Sequence, residues 1–248
     1  MTNMVFPHRT MIKVEKADSS NPYLLQLSGE KKLPEGTVAI VHEQTHGRGI
    51  GENMWESEPG KNLTFSIILY PVFLKGTLQF GLSKVISLAV YDFISQYVPD
   101  ASVKWPNDVY IGDKKITGIL IENFIEGAYL TKSVAGIGIN INQEKFTGNA
   151  PNPVSLKQIT GKTFDLDTAM DQVLECIAFR YHQLKEDTNC LSADYLKQMY
   201  RFNHLSLFSA ENKTFKARIT GVNKYGMLET ISTENERKTF GFKEVEYL

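Results

Sequence analysis

Residues 104–122 read KWPNDVYIGDKKITGILIE, and this stretch decides how the chain folds around it. Val109-Tyr110-Ile111 and the run Lys115 to Glu122 are apolar or β-branched, and Gly112-Asp113-Lys114 between them supplies turn residues, so the segment is predicted to be a hairpin. Pro106 has no amide to give a ladder and ends the preceding strand, Val103-Lys104-Trp105. The turn is therefore expected to direct Asn107 and Asp108 outward, with Asp108 and Lys115 facing one pocket. An amine and a carboxylate placed together suit the handling of phosphate and metal; the alternative is a surface pair beside a turn, worth little to stability. Trp105 reads as a core residue.

Upstream, Leu82, Val85, Ile86, Ala89, Val90, Phe93, Ile94 and Tyr97 recur at three- and four-residue steps, which predicts an amphipathic helix over Leu78–Val98 that covers a sheet. Met11–Lys16, Thr37–His42, Leu63–Leu69 and Val134–Ile141 read as further strands of that sheet. Ser19-Ser20-Asn21-Pro22 offers capping hydroxyls and an early-turn proline to a short helix over Tyr23–Leu27. Asp167–Lys185 and Ser192–Met199 are expected to be helices. After Phe202 the texture changes to short strands at Leu205–Phe208, Phe215–Val222, Met227–Thr230 and Lys238–Phe242, separated by Asn, Lys and Gly turns. The expectation is an α+β chain: a mixed, largely antiparallel sheet with helices over residues 1–202, then a small β-barrel over 203–248.

The whole-chain balance narrows the function classes. Lys and Arg number 27 against 28 acidic residues, a net charge of −1, so no global field draws the chain onto DNA or an anionic membrane. Any anionic ligand must then be held by local groups. Cys176 and Cys190 have neither metal-ligand spacing nor a disulfide framework, which fits a reducing compartment. Residues 1–9 lack an apolar signal core, and no run approaches the ~20 apolar residues of a membrane span. A cytoplasmic protein is expected.

Two further segments can carry chemistry. Glu43-Gln44-Thr45-His46-Gly47-Arg48-Gly49-Ile50-Gly51, with Trp55 beyond it, combines glycines that let amides approach an anion with the forked cation of Arg48. By itself it fits a solvent-exposed connection between two strands equally well. It is neither a Walker loop nor a dinucleotide fingerprint. In Ala135-Gly136-Ile137-Gly138-Ile139-Asn140, glycines within an apolar strand point to close approach by a ligand or another backbone, and Asn140 can both donate and accept at a base edge. A bulge is the other reading of those glycines.

In order and spacing these segments resemble the biotin–protein ligase family, in the monofunctional form that has no N-terminal DNA-binding domain. The resemblance rests on the Ser-Ser-Asn helix start, Gln-x-x-Gly-Arg-Gly, the later Trp, Lys-Trp-Pro-Asn-Asp, Lys-x-x-Gly-Ile-Leu-x-Glu and Gly-x-Gly-Ile-Asn, and it runs from about Asp18 to Asn142. It implies a class II synthetase-like catalytic domain followed by an SH3-like barrel. It also implies that biotin and ATP form biotinyl-5′-adenylate, from which biotin passes to a lysine of a biotin carboxyl carrier protein. Lys115, Arg48 and Asp108 would then be catalytic. Ser19, Ser20, Asn21, Gln44, Arg48, Gly49, Ile50 and Lys115 would line the biotin site, with Gly118 and Gly136 leaving room for the ligand. Arg48, Trp55, Asn107, Lys115 and Asn140 would bind ATP, Asn140 addressing adenine, and Mg²⁺ would ride on the phosphates with Asp108 as its partner. Members of the family also form homodimers through a sheet edge. One departure stands out: Ile50 occupies a position where the family commonly has Arg or Gln, which implies a leakier adenylate. A lipoate–protein ligase of the same fold lacks its Arg-Arg-x-x-Gly-Gly-x-x-Val pattern here. A biotin-binding sensor without turnover is disfavoured by the presence of Lys115, Arg48 and Asp108.

Overall fold

The computed structural model describes residues 10–49, 51, 53–148 and 152–248. Seven strands form the main sheet: β1 (Met11–Ala17), β2 (Val38–Gln44), β3 (Leu63–Leu69), β4 (Ala101–Lys104), β5 (Asp108–Ile111), β6 (Lys114–Glu126) and β7 (Tyr129–Ile139). Their spatial order is β1-β2-β3-β7-β6-β5-β4, parallel only between β1 and β2.

Every residue of β3 is buried because both faces of the sheet are covered. Phe65, Ile67 and Leu69 join a large core with α2 (Phe80–Ser95). Ile68, on the opposite face, packs with Leu24 of α1 (Ser20–Glu30). Residues two apart share a face. Ile119, Ile137 and Ile139 accordingly enter the α2 core, while Gly118, Gly136 and Gly138 fall on the α1 face. Where α1 stops covering that face, the glycines leave it bare.

The long helix α4 (Leu166–Glu186) packs outside α2, which explains why α2 is buried around most of its circumference, and α5 (Leu191–Lys197) closes the end of the layer. A short helix, α3 (Leu156–Thr160), was not evident in the sequence. It is held by a reciprocal capping box between Ser155 and Gln158 and stopped by Gly161 at φ 72°.

The C-terminal unit is a five-stranded antiparallel barrel-like sheet of β8 (Leu205–Ala210), β9 (Lys213–Val222), β10 (Leu228–Ser232), β11 (Arg237–Phe240) and β12 (Glu246–Tyr247), in the order β11-β10-β9-β8-β12. β12, two residues long, is too short to show alternation in the sequence. Phe208, Ile219, Leu228 and Phe240 belong to the same buried cluster as Trp105, so this unit is seated on the larger one through apolar contact. Trp105 is a core residue, 5% exposed, and its Nε1 donates to the Gly226 carbonyl at 2.9 Å.

Two sequence expectations change. Ser19 takes the extended N-cap conformation at the head of α1, yet its hydroxyl makes no capping bond; Gln44 Oε1, reaching from β2, accepts from the Ser20 amide at 2.8 Å instead. Asn107 does not turn outward with Asp108. It is 5% exposed, and its Nδ2 donates to the Ile119 carbonyl at 3.0 Å, because that carbonyl would otherwise be an unpaired acceptor beside the core.

Candidate functional site

Two adjoining cavities occupy the bare part of the sheet. Ser19, Ser20, Asn21, Gly136 and Leu120 line the first. Tyr110, Asn140, Phe146 and Pro153 line the second. Gln44, Asn53, Met54, Trp55, Asp108 and Lys115 line both, and so mark the junction.

The glycines make that junction possible. Gly118 and Gly138 are direct partners across β6 and β7, and the Trp55 indole lies over the pair. A Cβ on Gly138 would come within 2.3 Å of the ring, and one on Gly118 within 2.9 Å. Gly136 likewise leaves room for the Asn21 amide, whose Oδ1 would be 2.4 Å from a Cβ there. In this structure the space at Gly118 and Gly136 is thus taken by protein side chains, and the indole stands as a partition between the two cavities.

A polar network sets the wall of the first cavity. The Ser66 hydroxyl is bonded to both the Ser20 hydroxyl, 2.7 Å away, and Asn21 Oδ1, 2.6 Å away. Asn21 Nδ2 donates to Glu122 Oε2 at 2.8 Å and to the Leu120 carbonyl at 3.2 Å. Sequence reasoning did not select Ser66 or Glu122. Glu122 was visible as the last residue of the Lys-x-x-Gly-Ile-Leu-x-Glu motif, and a serine in the otherwise apolar run Leu63–Leu69 is the signal that could have found Ser66.

Lys115 Nζ and Asp108 Oδ2 form an ion pair at 2.5 Å, with side chains 24% and 23% exposed. The expectation that they face one pocket holds. Their approach follows from register: Tyr110 pairs with Lys115 across the hairpin, and an irregularity between Val109 and Tyr110 brings Asp108 toward the same side. Burial pushes the Asp108 carboxyl above the ordinary carboxylate range, although the Lys115 and Lys104 ammonium groups pull it back. Lys104 stands in a cage of Tyr110, Tyr247 and Tyr200 rings at 4.6, 5.0 and 5.9 Å, where burial lowers its pKa.

The loop between β2 and β3 is folded back as a narrow hairpin: Gly49 N donates to Asn53 O at 2.7 Å and Trp55 N to Gly47 O at 2.8 Å. A side chain at Gly47 would collide with the Trp55 carbonyl at 2.3 Å. Arg48 is exposed and, with Gly49, borders the first cavity. Ile50 lies outside the described residues. Beyond Trp55, Glu56 accepts from the amides of Thr147 and Gly148 at 2.9 and 2.7 Å. Desolvation works against that carboxylate, but the two amides outweigh it and lower its pKa.

Three buried polar atoms without partners belong to residues on the cavities: Trp55 Nε1, Asn107 Oδ1 and Asn140 Oδ1. Asn140 Nδ2 is already used, donating to the Val154 carbonyl at 3.1 Å, so its free valence is an acceptor. A buried donor or acceptor left unmade costs roughly 1–3 kcal/mol. A ligand with matching groups would recover part of that cost. Of the carboxylates lining the cavities, Asp108 is engaged by Lys115 and Glu56 by two amides, and among the described residues no group of three His, Cys, Asp or Glu is placed to hold a metal. Among the described residues the donor set does not make a resident metal site.

The molecule has the α+β architecture of biotin protein ligases, as comparison with solved structures shows. It superposes on the Aquifex aeolicus biotin protein ligase in complex with biotin and ATP with a TM-score of 0.78 at 26% identity, over 96% of this chain and 99% of that one. The chain belongs to the biotin/lipoate A/B protein ligase family, whose model matches residues 14–140. It is 32% identical over 181 residues to the biotin–[acetyl-CoA-carboxylase] ligase of Paracoccus denitrificans, covering 70% of this chain and 72% of that one. Against the bifunctional ligase/repressor BirA of Bacillus subtilis it is 34% identical over 155 residues, 60% of this chain and 46% of that one. The chain thus spans about half the length of such curated relatives. A biotin protein ligase-like protein of unknown function from Silicibacter also shares the fold, with a TM-score of 0.72 at 10% identity. Among the described residues no helix is long and apolar enough to cross a membrane.

Proposed function

We propose that this protein is an ATP-dependent ligase that forms biotinyl-5′-adenylate and transfers biotin to a lysine of a biotin carboxyl carrier protein. The observation that carries the reading is the Lys115–Asp108 pair at the junction of two cavities divided by Trp55. Two substrates that must react need neighbouring sites with one shared contact, and both reactants here are anions. A cation held between them lowers their repulsion and stabilises charge developing at the transferred phosphorus.

On this reading biotin occupies the first cavity, where Ser20, Asn21 and Gln44 are fixed by hydrogen bonds, and the nucleoside occupies the second, beside Asn140 and Phe146. A biotin carboxylate oxygen attacks the α-phosphorus, the bond to the bridging oxygen breaks, and pyrophosphate leaves with the electron pair. Lys115 faces the reacting oxygens, and Arg48 closes on them from the loop. Mg²⁺ would arrive with the triphosphate and neutralise part of its charge, with Asp108 the carboxylate nearest the junction. In the second step the carrier amine attacks the acyl carbon and AMP departs. An ordinary lysine has a pKa of ~10.4, so a proton must be removed before attack. On this reading Asp108, whose proton affinity burial raises, accepts it. The division at residues 202 and 203, a cytoplasmic location and use of the sheet edge for dimer formation are parts of the same proposal.

Incubation with ATP, Mg²⁺ and either biotin or lipoate tests it, with pyrophosphate release and labelling of an apo carrier domain as readouts. Biotin-dependent pyrophosphate and carrier labelling are expected. Absence of biotin-dependent release overturns the reading, and release with lipoate alone reassigns the substrate.

A further inference from the structure

The turn between β11 and β12, Gly241 to Glu244, belongs to the barrel yet reaches the site on the other unit. Phe242 lines the first cavity together with Pro106, Asp108 and Lys115, and the residue is 44% exposed. Behind it stands Trp105, with ring centroids 6.2 Å apart. One residue further, Lys243 meets Gly51 of the loop: a Cβ built on Gly51 would lie 2.2 Å from Lys243 Nζ and 3.3 Å from its Cε. Gly51 and the barrel turn are therefore in contact.

The turn is built to hold its shape. Glu244 Oε2 accepts from the Gly241 amide at 2.5 Å, and the Glu244 amide donates back to the Gly241 carbonyl at 3.2 Å. Lys243 sits at φ +67°, a left-handed conformation that a residue with a Cβ adopts only where its surroundings enforce it. Gly51, opposite, is at φ +70°, and its lack of a side chain is what admits the lysine. Lys243 lines neither cavity and has no carboxylate in ion-pair range among the described residues. Its contact is with the loop backbone rather than with a ligand position.

We propose that the Gly241–Glu244 turn is the landing surface of the loop, and that Phe242 and Lys243 retain the activated acyl-adenylate by closing the first cavity on the side away from the sheet. This deepens the proposed function and rests on it. The loop is rooted on the large sheet through the Trp55 indole over Gly118 and Gly138; without the turn, its far end would close against solvent. With the turn in place, the loop is held at Trp55 on the sheet and at Gly51 on the barrel, and Phe242 borders the cavity beside Lys115. The barrel thereby becomes part of the intermediate's enclosure. Phe242 and Lys243 act as positioning residues, through the loop and the rim, and not on the reacting atoms.

The test is a single-turnover reaction of the full chain with ATP, Mg²⁺ and labelled biotin in the absence of carrier. The pyrophosphate burst is measured first, and then the rate at which labelled adenylate leaves the protein into a chase of unlabelled substrates. Phe242→Ala is expected to release adenylate about tenfold faster than wild type, equivalent to ~1.4 kcal/mol of lost enclosure, with the release rate read only from the adenylate that the burst has already formed. Phe242→Leu, which keeps an apolar wall, should restore most of the retention, a rescue that a general loosening of the barrel would not show. If Phe242→Ala lowers the thermal midpoint, Lys243→Ala, an exposed change at the tip, decides the matter: faster release supports the proposal and an unchanged rate overturns it. A wild-type protein without a biotin-dependent burst would refute the proposed function itself. A normal burst with wild-type release in both variants would refute only the role of the turn.

Discussion

Replacing Gly138 by Ala puts one methyl group beneath the partition of the site. The new Cβ would be 2.3 Å from Trp55 Cε2, 2.4 Å from Nε1 and 2.7 Å from Cζ2. Ordinary carbon contacts begin near ~3.5 Å, so the indole must retreat by about 1 Å. It cannot slide along the strand, because Gly118 supplies the other half of the same floor and its neighbours are full side chains. The indole therefore has to lift, and with it the hairpin whose Trp55 amide is bonded to Gly47. Over-packing of this kind costs roughly 2 kcal/mol, or about 30-fold in affinity for whatever both cavities bind. Gly118→Ala is the internal comparison. Its Cβ would meet the ring edge at 2.9 Å, so the displacement and the loss should both be smaller. The assay is biotin-dependent pyrophosphate release over a matrix of biotin and ATP concentrations, with KM values for both substrates. Because the cost is paid through Trp55, Gly138→Ala in a Trp55→Ala background should add little further loss. Equal KM values in wild type and Gly138→Ala, or full additivity in the double variant, would refute the claim that the glycine pair exists to seat the indole.

Lys115→Ala should reduce the first step by at least ~100-fold with little change in stability, measured by pyrophosphate release beside a urea melt. The acid limb of the activity profile should lie above the ordinary aspartate range near 3.8, because burial raises Asp108 and activity is lost as falling pH protonates it; in Asp108→Asn that limb should disappear from the residual rate. Ser66→Ala removes a bond to both Ser20 and Asn21, and is expected to raise the KM for biotin several-fold while the KM for ATP stays within twofold. Lys84 is 9% exposed in α2, has its ammonium on the Ser192 hydroxyl at 2.9 Å, and titrates low through burial. Lys84→Met should therefore stabilise the chain by about 1 kcal/mol in denaturant unfolding at pH 7. The sign of its pH dependence is fixed: a lowered folded pKa penalises folding below it and relaxes as pH rises toward 10.5, so the benefit of the methionine should shrink at alkaline pH.

Much of this arrangement was legible where one local rule governed an element. The three-and-four spacing of Leu82 to Ile94 marked α2, and the turn residues at Gly112-Asp113-Lys114 marked the hairpin that brings Asp108 to Lys115. Reading failed where a residue's role depends on an element distant in sequence. Nothing around Gln44 indicates that it caps a helix beginning at Ser20, because the bond joins residues 24 apart and competes with a capping hydroxyl that looks sufficient. The glycines of β6 and β7 showed that something approaches closely, but not that the approaching group is Trp55, since the 2.3 Å and 2.9 Å collisions appear only after Gly118 and Gly138 are paired. Phe242 had no signal, because the sequence puts it at the end of a barrel strand, Lys238–Phe242, where an aromatic residue usually serves that barrel's own core, whereas β11 stops at Phe240 and leaves it in the turn.

The same distinction explains why the site can be assembled from weak motifs. Each glycine-rich segment admits a bland reading in isolation, since a bare backbone is compatible with a bulge, a turn or a cavity. Register removes that freedom: once Gly118 faces Gly138 and Ser66 faces Gly136, the side chains of one face are fixed, and Ile119, Ile137 and Ile139 are committed to the α2 core on the other. A slip of one residue would place those three isoleucines in the cavities and the glycines in the core, at a cost of several kcal/mol of lost burial. The hydrophobic packing that stabilises the sheet thus also keeps the site open, and a substitution that weakens the α2 core, such as Ile139→Ala, should blur the first cavity although Ile139 lines neither cavity.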